Sequence, residues 1–149
     1  VFWYEDTEGT VHMQKQHHIL VVEDEEELRN SLALLLTTRG EYRVSVAADG
    51  AKGLQAIQDA YDNHDPIDLL ITDLKMPVMT GLELIEVLHV RRLALPIIVI
   101  TGHGGEHVMA ALIQRGCVEY IEKPFDPGAL INTIARVLER PRNAPSHAA

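Results

Sequence analysis

Short uninterrupted apolar runs alternate along the chain with longer segments in which apolar residues recur every three to four positions. Ile19-Leu20-Val21-Val22, Leu69-Leu70-Ile71-Thr72 and Ile97-Ile98-Val99-Ile100 are too short for a surface helix and show no alternation. Each reads as a strand buried on both faces, as in a parallel sheet. Val118 to Ile121 reads as a shorter strand ending near Lys123-Pro124. Val44 and Val46, alternating with Arg43 and Ser45, predict an edge strand half open to water.

The intervening segments have helical spacing. Leu28, Leu32, Leu35 and Leu36 fall on one face, and Gly40 is the expected stop. Asp49-Gly50 starts a second helix with the face Leu54, Ile57 and Tyr61, and the polar stretch from Asp59 to Asp68, containing Pro66, reads as a loop. Thr80-Gly81-Leu82-Glu83 has capping-box spacing and opens a helix that buries Leu84, Ile85 and Leu88. A fourth helix centres on Val108, Leu112 and Ile113. Asp126 and Pro127 form an N-cap and first-turn pair for a last helix with the face Leu130, Ile134, Val137 and Leu138, stopped by Pro141. Strand and helix thus alternate five times, which predicts an α/β domain whose parallel sheet carries helices on both faces.

The ends stand apart from this pattern. Residues 1–16 hold Phe2, Trp3 and Tyr4, then acids, then Gly9-Thr10. They read as an extension, a linker from a preceding domain or a cloning remnant, with Met13 a candidate start. A poorly ordered or peripheral segment is expected there, with an aromatic docking arm as the alternative. One domain covers 17–140. The small, polar stretch 141–149 reads as a tail or a linker stump.

Composition narrows the classes. At 149 residues, 46% hydrophobic and 23% charged, the chain is ordinary globular material for a single domain. No apolar run approaches the ~20 residues of a membrane span. The net charge of −9 argues against nucleic-acid binding by this domain and favours a divalent cation or a basic partner. Cys117 is the only cysteine, so no internal disulfide forms; a cytoplasmic setting fits, and Cys117 reads as a small core residue.

The chemistry lies where the strands end. Glu23, Asp24, Asp73, Thr101 and Lys123 each end or closely follow an apolar strand. In a parallel sheet all strand carboxyl ends lie on one edge, so these residues converge. Carboxylates forced together repel, and one must take a proton or find a cation. A hard, oxygen-seeking ion such as Mg²⁺ answers that need. A carboxylate beside a metal, an ammonium and a hydroxyl suits nucleophilic attack on a phosphoryl group, giving an aspartyl-phosphate. Asp73, which ends the central strand before a Met-Pro turn, is the candidate nucleophile. Neighbouring polar residues have ordinary explanations. Glu25 to Glu27 suit a helix dipole. His17-His18 lack a further ligand at zinc-like spacing. His103 and His107 read as solvated residues at a helix start. Gly102-His103-Gly104-Gly105 lacks the spacing and position of a dinucleotide loop.

From about His17 to Arg140 the chain resembles a response-regulator receiver domain. The carrying residues are Ile19 to Glu25, then Asp73-Leu74-Lys75-Met76-Pro77 with Gly81, then Ile100-Thr101-Gly102, then Tyr120-Ile121-Glu122-Lys123-Pro124-Phe125. The resemblance implies a flavodoxin-like (βα)5 doubly wound sheet with strand order 2-1-3-4-5. It implies that Asp73 accepts phosphate from a histidine kinase or a histidine phosphotransfer protein. Asp24, Asp73 and the backbone carbonyl of Lys75 would hold Mg²⁺ or Mn²⁺, with Glu23 acting through water. Lys123, Thr101 and the Gly102 backbone would contact the phosphoryl group. Thr101 and Tyr120 would form the switch, with Tyr120 moving inward, and the Lys123-Pro124 bond would be cis. Lys75 and His103 stand where the family tunes phosphoryl lifetime. Such domains are signalling switches, not enzymes with an external substrate. Many pair through their fourth and fifth helices, here Val108 to Arg115 and Gly128 to Glu139.

Other classes stay in view. A degenerate receiver would serve protein contacts alone. An aspartyl-phosphate hydrolase of another α/β family commonly has a second aspartate two residues after the nucleophile, where Lys75 stands. A flavin module would need a hydroxyl-rich loop where Glu23 to Glu27 lie.

Overall fold

The computed structural model describes residues 2–14, 16–102 and 106–139. His103, Gly104, Gly105, Pro141 and the tail 141–149 lie outside the described residues. The chain opens with β1 (Phe2–Glu5) and β2 (Val11–Gln14). The five expected strand–helix pairs follow: β3 (His18–Val22) and α1 (Glu26–Thr38), β4 (Arg43–Ala47) and α2 (Gly50–Asp62), β5 (Leu69–Thr72) and α3 (Gly81–Val90), β6 (Ile97–Thr101) and α4 (Glu106–Gln114), β7 (Cys117–Glu122) and α5 (Pro127–Glu139). These five strands form one parallel sheet in the order β4-β3-β5-β6-β7, the 2-1-3-4-5 order.

Alternation along each strand divides the core in two. Leu20, Val22, Leu70, Ile97 and Val99 face a layer built from α2, α3 and α4, with Ile57, Leu84, Leu88 and Leu112 packed on them. Ile19, Val21, Leu69, Ile71, Ile98 and Ile100 face the opposite layer of α1 and α5, through Leu32, Leu36, Leu130, Ile134 and Val137. The continuous apolar runs are the signature of strands covered on both sides.

β7 departs from simple alternation. Ile97 pairs with Cys117 but Ile98 pairs with Glu119, so one residue bulges there. An extra residue shifts the phase of the strand. As a result Cys117 and Tyr120, three apart, both pack on the same core layer.

Two expectations need correction. α2 runs on to Asp62, so the loop begins at Asn63 and not at Asp59. The polar residues of this stretch are an exposed helix face, tied by Gln55–Asp59 and Gln58–Asp62 hydrogen bonds at 2.7 and 3.1 Å, the i,i+4 spacing that supports a helix. Tyr61 and Ile113 are not core residues; each is 60% exposed. The buried stripe of α2 is Gly50, Gly53 and Ile57, and α4 turns Leu112 inward instead of Ile113. Residues 2–14 take the peripheral of the two expected forms: β1 and β2 pair antiparallel in a hairpin of their own, outside the main sheet. Asp6 organises its turn by accepting from the backbone N–H groups of Glu8 and Thr10, and it pairs with His12 at 2.7 Å.

The loop from β5 to α3 is pinned at both ends by glycine. Gly50 N–H donates to Met79 O at 3.0 Å, and a Cβ on Gly50 would lie 2.5 Å from that oxygen. A Cβ on Gly81 would lie 1.8 Å from the backbone oxygen of Asp73. Between them Val78 takes φ +68°, with Met79 N–H donating to Pro77 O at 2.8 Å in a three-residue turn. A β-branched residue in the left-handed region is strained and persists only where its surroundings enforce it. The Thr80–Glu83 capping box forms as expected and fixes the start of α3.

Gly81→Ala is expected to destabilise the fold by about 1–3 kcal/mol, because the added methyl overpacks against backbone that cannot rotate away. The check is a lower urea midpoint at unchanged slope; an unchanged midpoint would show that the loop is not held as described.

Candidate functional site

The sheet delivers its functional residues by extending its ladder one residue past each strand. Glu23 N–H donates to Ala47 O at 3.0 Å, Asp73 N–H to Val22 O at 3.2 Å, and Lys123 N–H to Thr101 O at 3.0 Å. Side chains fifty and a hundred residues apart are thereby set side by side. The Lys123-Pro124 peptide bond is cis, as the resemblance implied.

Lys123 is the hub. Its Nζ donates to Asp73 Oδ2 at 2.6 Å and to Glu23 Oε1 at 3.2 Å. Asp73 Oδ1 accepts from Leu74 N–H at 2.5 Å, with Lys75 N–H further off at 3.4 Å. Thr101, fully buried at the end of β6, also favours the charged form of the Asp73 carboxylate. Burial pushes the Asp73 carboxyl up, but Lys123, Thr101 and the Leu74 N–H outweigh it and hold it below the usual carboxylate range. Glu23 goes the other way. It is 3% exposed, and burial, reinforced by the charges of Asp73 and Asp24, lifts it to about 7 against the pull of Lys123. Burial lowers the Lys123 ammonium, and its bonds to Asp73 and Glu23 more than restore it, leaving it raised.

Glu23, Asp24 and Asp73 each offer a carboxylate oxygen within 4.8 Å of the others. Three carboxylates against one ammonium leave two negative charges, the charge of one divalent cation. An all-oxygen donor set without sulfur or imidazole suits Mg²⁺, Mn²⁺ or Ca²⁺ and not zinc. Glu23, Asp24, Glu25, Asp73, Lys75, Gly102 and Lys123 line an open cleft of ≈ 460 Å³. Asp24 and Lys75 are exposed at its mouth. The sequence-selected residues Glu23, Asp24, Asp73, Lys75, Thr101, Gly102 and Lys123 thus gather in one place. Tyr120 lies behind them, partly buried against the core, and among the described residues its enclosed hydroxyl has no hydrogen-bond partner. His103 lies outside the described residues.

One contributor escaped the sequence reading. Arg29 of α1 reaches back so that Nη1 donates to Glu23 O at 2.9 Å and stands 3.4 Å from Asp24 O. Its only signal in the sequence was a basic residue following an acidic run at the start of a helix.

Comparison with known proteins agrees with this geometry. Residues 19–135 match the family model described as the response regulator receiver domain. The transcriptional regulatory protein GlrR of Escherichia coli K12 is 35% identical over 126 residues, covering 85% of this chain and 27% of that protein. The transcriptional regulatory protein FixJ of Rhizobium meliloti is 36% identical over 133 residues, covering 89% of this chain and 58% of that protein. The chain therefore spans only part of the length of these relatives. A CheY-like response regulator receiver domain protein from Methanospirillum hungatei superposes with a TM-score of 0.75 at 30% identity, covering 83% of this chain and 94% of that one.

The raised Glu23 carboxyl sets a pH dependence. Below about pH 7 Glu23 holds a proton that a cation must displace, so Mg²⁺ affinity is expected to fall about tenfold between about pH 8 and pH 6. Thermal shift with added Mg²⁺ at the two pH values reads this directly, and Glu23→Gln should flatten the difference. Equal shifts at both values would remove Glu23 from the cation site.

Proposed function

The chain belongs to the response-regulator receiver family, the phospho-acceptor half of two-component signalling, and on that premise we propose that Asp73 is the residue that takes the phosphoryl group. The observation that carries this is an ionised, nearly buried carboxylate on the floor of an open cleft, with the Lys123 ammonium bonded to it and Thr101 favouring its charge. An oxygen of Asp73 attacks the phosphorus of a phosphohistidine donor. The P–N bond breaks with its electron pair going to the imidazole, which then takes a proton, and an O–P bond forms on Asp73. Asp24, Asp73 and the Lys75 carbonyl, with Glu23 acting through water, would hold a hard divalent cation, whose charge offsets the negative charge gathered by the incoming phosphoryl oxygens. Lys123, Thr101 and the Gly102 backbone then contact the phosphoryl group, Lys123 giving up its present bond to Asp73. Lys75 and His103 tune how fast water removes it.

The partner implied is a histidine kinase or a histidine phosphotransfer protein, and a cytoplasmic setting accords with the single free thiol of Cys117. Among the described residues no helix is long and apolar enough to cross a membrane. Pairing of two copies through α4 and α5 is supported by the exposed apolar side chain of Ile113 on α4. The related regulators are named as transcriptional regulators.

Intact-mass measurement after incubation with acetyl phosphate and Mg²⁺ tests the proposal. One added phosphoryl group is expected, absent in Asp73→Asn and in metal-free protein. A label retained by a folded Asp73→Asn variant would move the acceptor elsewhere.

A further inference from the structure

The turn that presents Glu23 and Asp24 is held in an unusual way. Glu25, the N-cap of α1, makes no side-chain bond to the helix it precedes, so the customary tie between turn and helix is missing. Arg29 supplies another. Its Nη1 donates to the Glu23 carbonyl at 2.9 Å and reaches the Asp24 carbonyl at 3.4 Å. It thus grips the peptide units of two of the three residues whose carboxylates meet in the cleft. On the far side the same turn is anchored by Glu23 N–H on Ala47 O.

We propose that Arg29 is a positioning residue for the divalent cation, acting through these two carbonyls and not through its charge. The inference rests on the reading of Glu23, Asp24 and Asp73 as a cation site. Charge and position predict opposite signs. A guanidinium beside the site repels a dication, so by Coulomb's law alone its removal would tighten binding. Mg²⁺ demands near-ideal octahedral geometry, so freeing the turn that carries two of its ligands would loosen binding. Partners outside the ligand shell typically change metal affinity by about 10–100-fold when removed.

Calorimetric titration of wild type, Arg29→Met and Arg29→Lys with Mg²⁺ and with Ca²⁺, with urea midpoints alongside, decides between them. Arg29→Met is expected to weaken Mg²⁺ binding by about tenfold or more. Ca²⁺, which accepts flexible coordination, should lose less, so the Mg²⁺-to-Ca²⁺ affinity ratio falls. Arg29→Lys, able to reach one carbonyl, should recover part of the loss. A general loosening of the fold would not shift that ratio. If Arg29→Met does not fold, Arg29→Gln, which keeps a neutral donor, carries the same comparison. Equal or tighter Mg²⁺ binding in a folded variant would overturn the inference while leaving the cation site standing. Failure of the wild type to bind Mg²⁺ would overturn the site reading and this inference with it.

Discussion

The ammonium of Lys123, lodged between Asp73 and Glu23, is the interaction on which the site depends. A parallel sheet ends all its strands on one edge, and here that edge brings two nearly buried carboxylates into reach of one cation. Like charges at low dielectric cannot both stay ionised without compensation. The compensation is unequal: Lys123 lies closer to Asp73, at 2.6 Å against 3.2 Å for Glu23. Thr101 and the Leu74 N–H add to the Asp73 side, and nothing comparable supports Glu23. On the proposed reading, one carboxylate is thereby kept as a ready nucleophile while the other is poised to exchange a proton for a metal. Removing one partner of such a buried pair leaves an uncompensated charge, which is the costly way to break it.

The surrounding backbone is built to hold those positions. Gly50 and Gly81 let the β5–α3 loop press against its neighbours, and Val78 accepts a strained turn in consequence. Thr101 and Tyr120 connect the cleft to the sheet edge at β6 and β7. The bulge in β7 is what places the Tyr120 ring on the core layer beside Val99. Among the described residues its enclosed hydroxyl has no partner, a local cost at this edge. On the proposed reading, a phosphoryl group that draws Thr101 and Lys123 onto itself loosens the Lys123 bond to Asp73 and so disturbs that edge.

Much of this was legible in the sequence because it follows from strand ends. Unbroken apolar runs gave the parallel sheet, and the residues after each run gave Glu23, Asp24, Asp73, Thr101 and Lys123 without any knowledge of distance. What was not legible depended on local geometry. The β7 bulge leaves no compositional mark, since Cys117-Val118-Glu119-Tyr120 alternates poorly in any phase. Tyr61 and Ile113 have helical spacing yet emerge into solvent, because spacing fixes a face and not how far the neighbouring layer extends. The polar end of α2 looked like loop because exposed i,i+4 hydrogen-bonded pairs are indistinguishable from loop by composition. Arg29 was missed for a simpler reason: it acts on backbone carbonyls, which no residue letter reports.

The central claim is the opposed ionisation of two carboxyls sharing one ammonium, and a ¹³C NMR titration of the side-chain carboxyl carbons measures it most directly. In metal-free protein Glu23 should titrate at about 7 and Asp73 below the ordinary carboxylate range, and in Lys123→Met the Asp73 carboxyl should rise. Glu23 titrating as an ordinary carboxylate, or an Asp73 carboxyl indifferent to the loss of Lys123, would contradict the account.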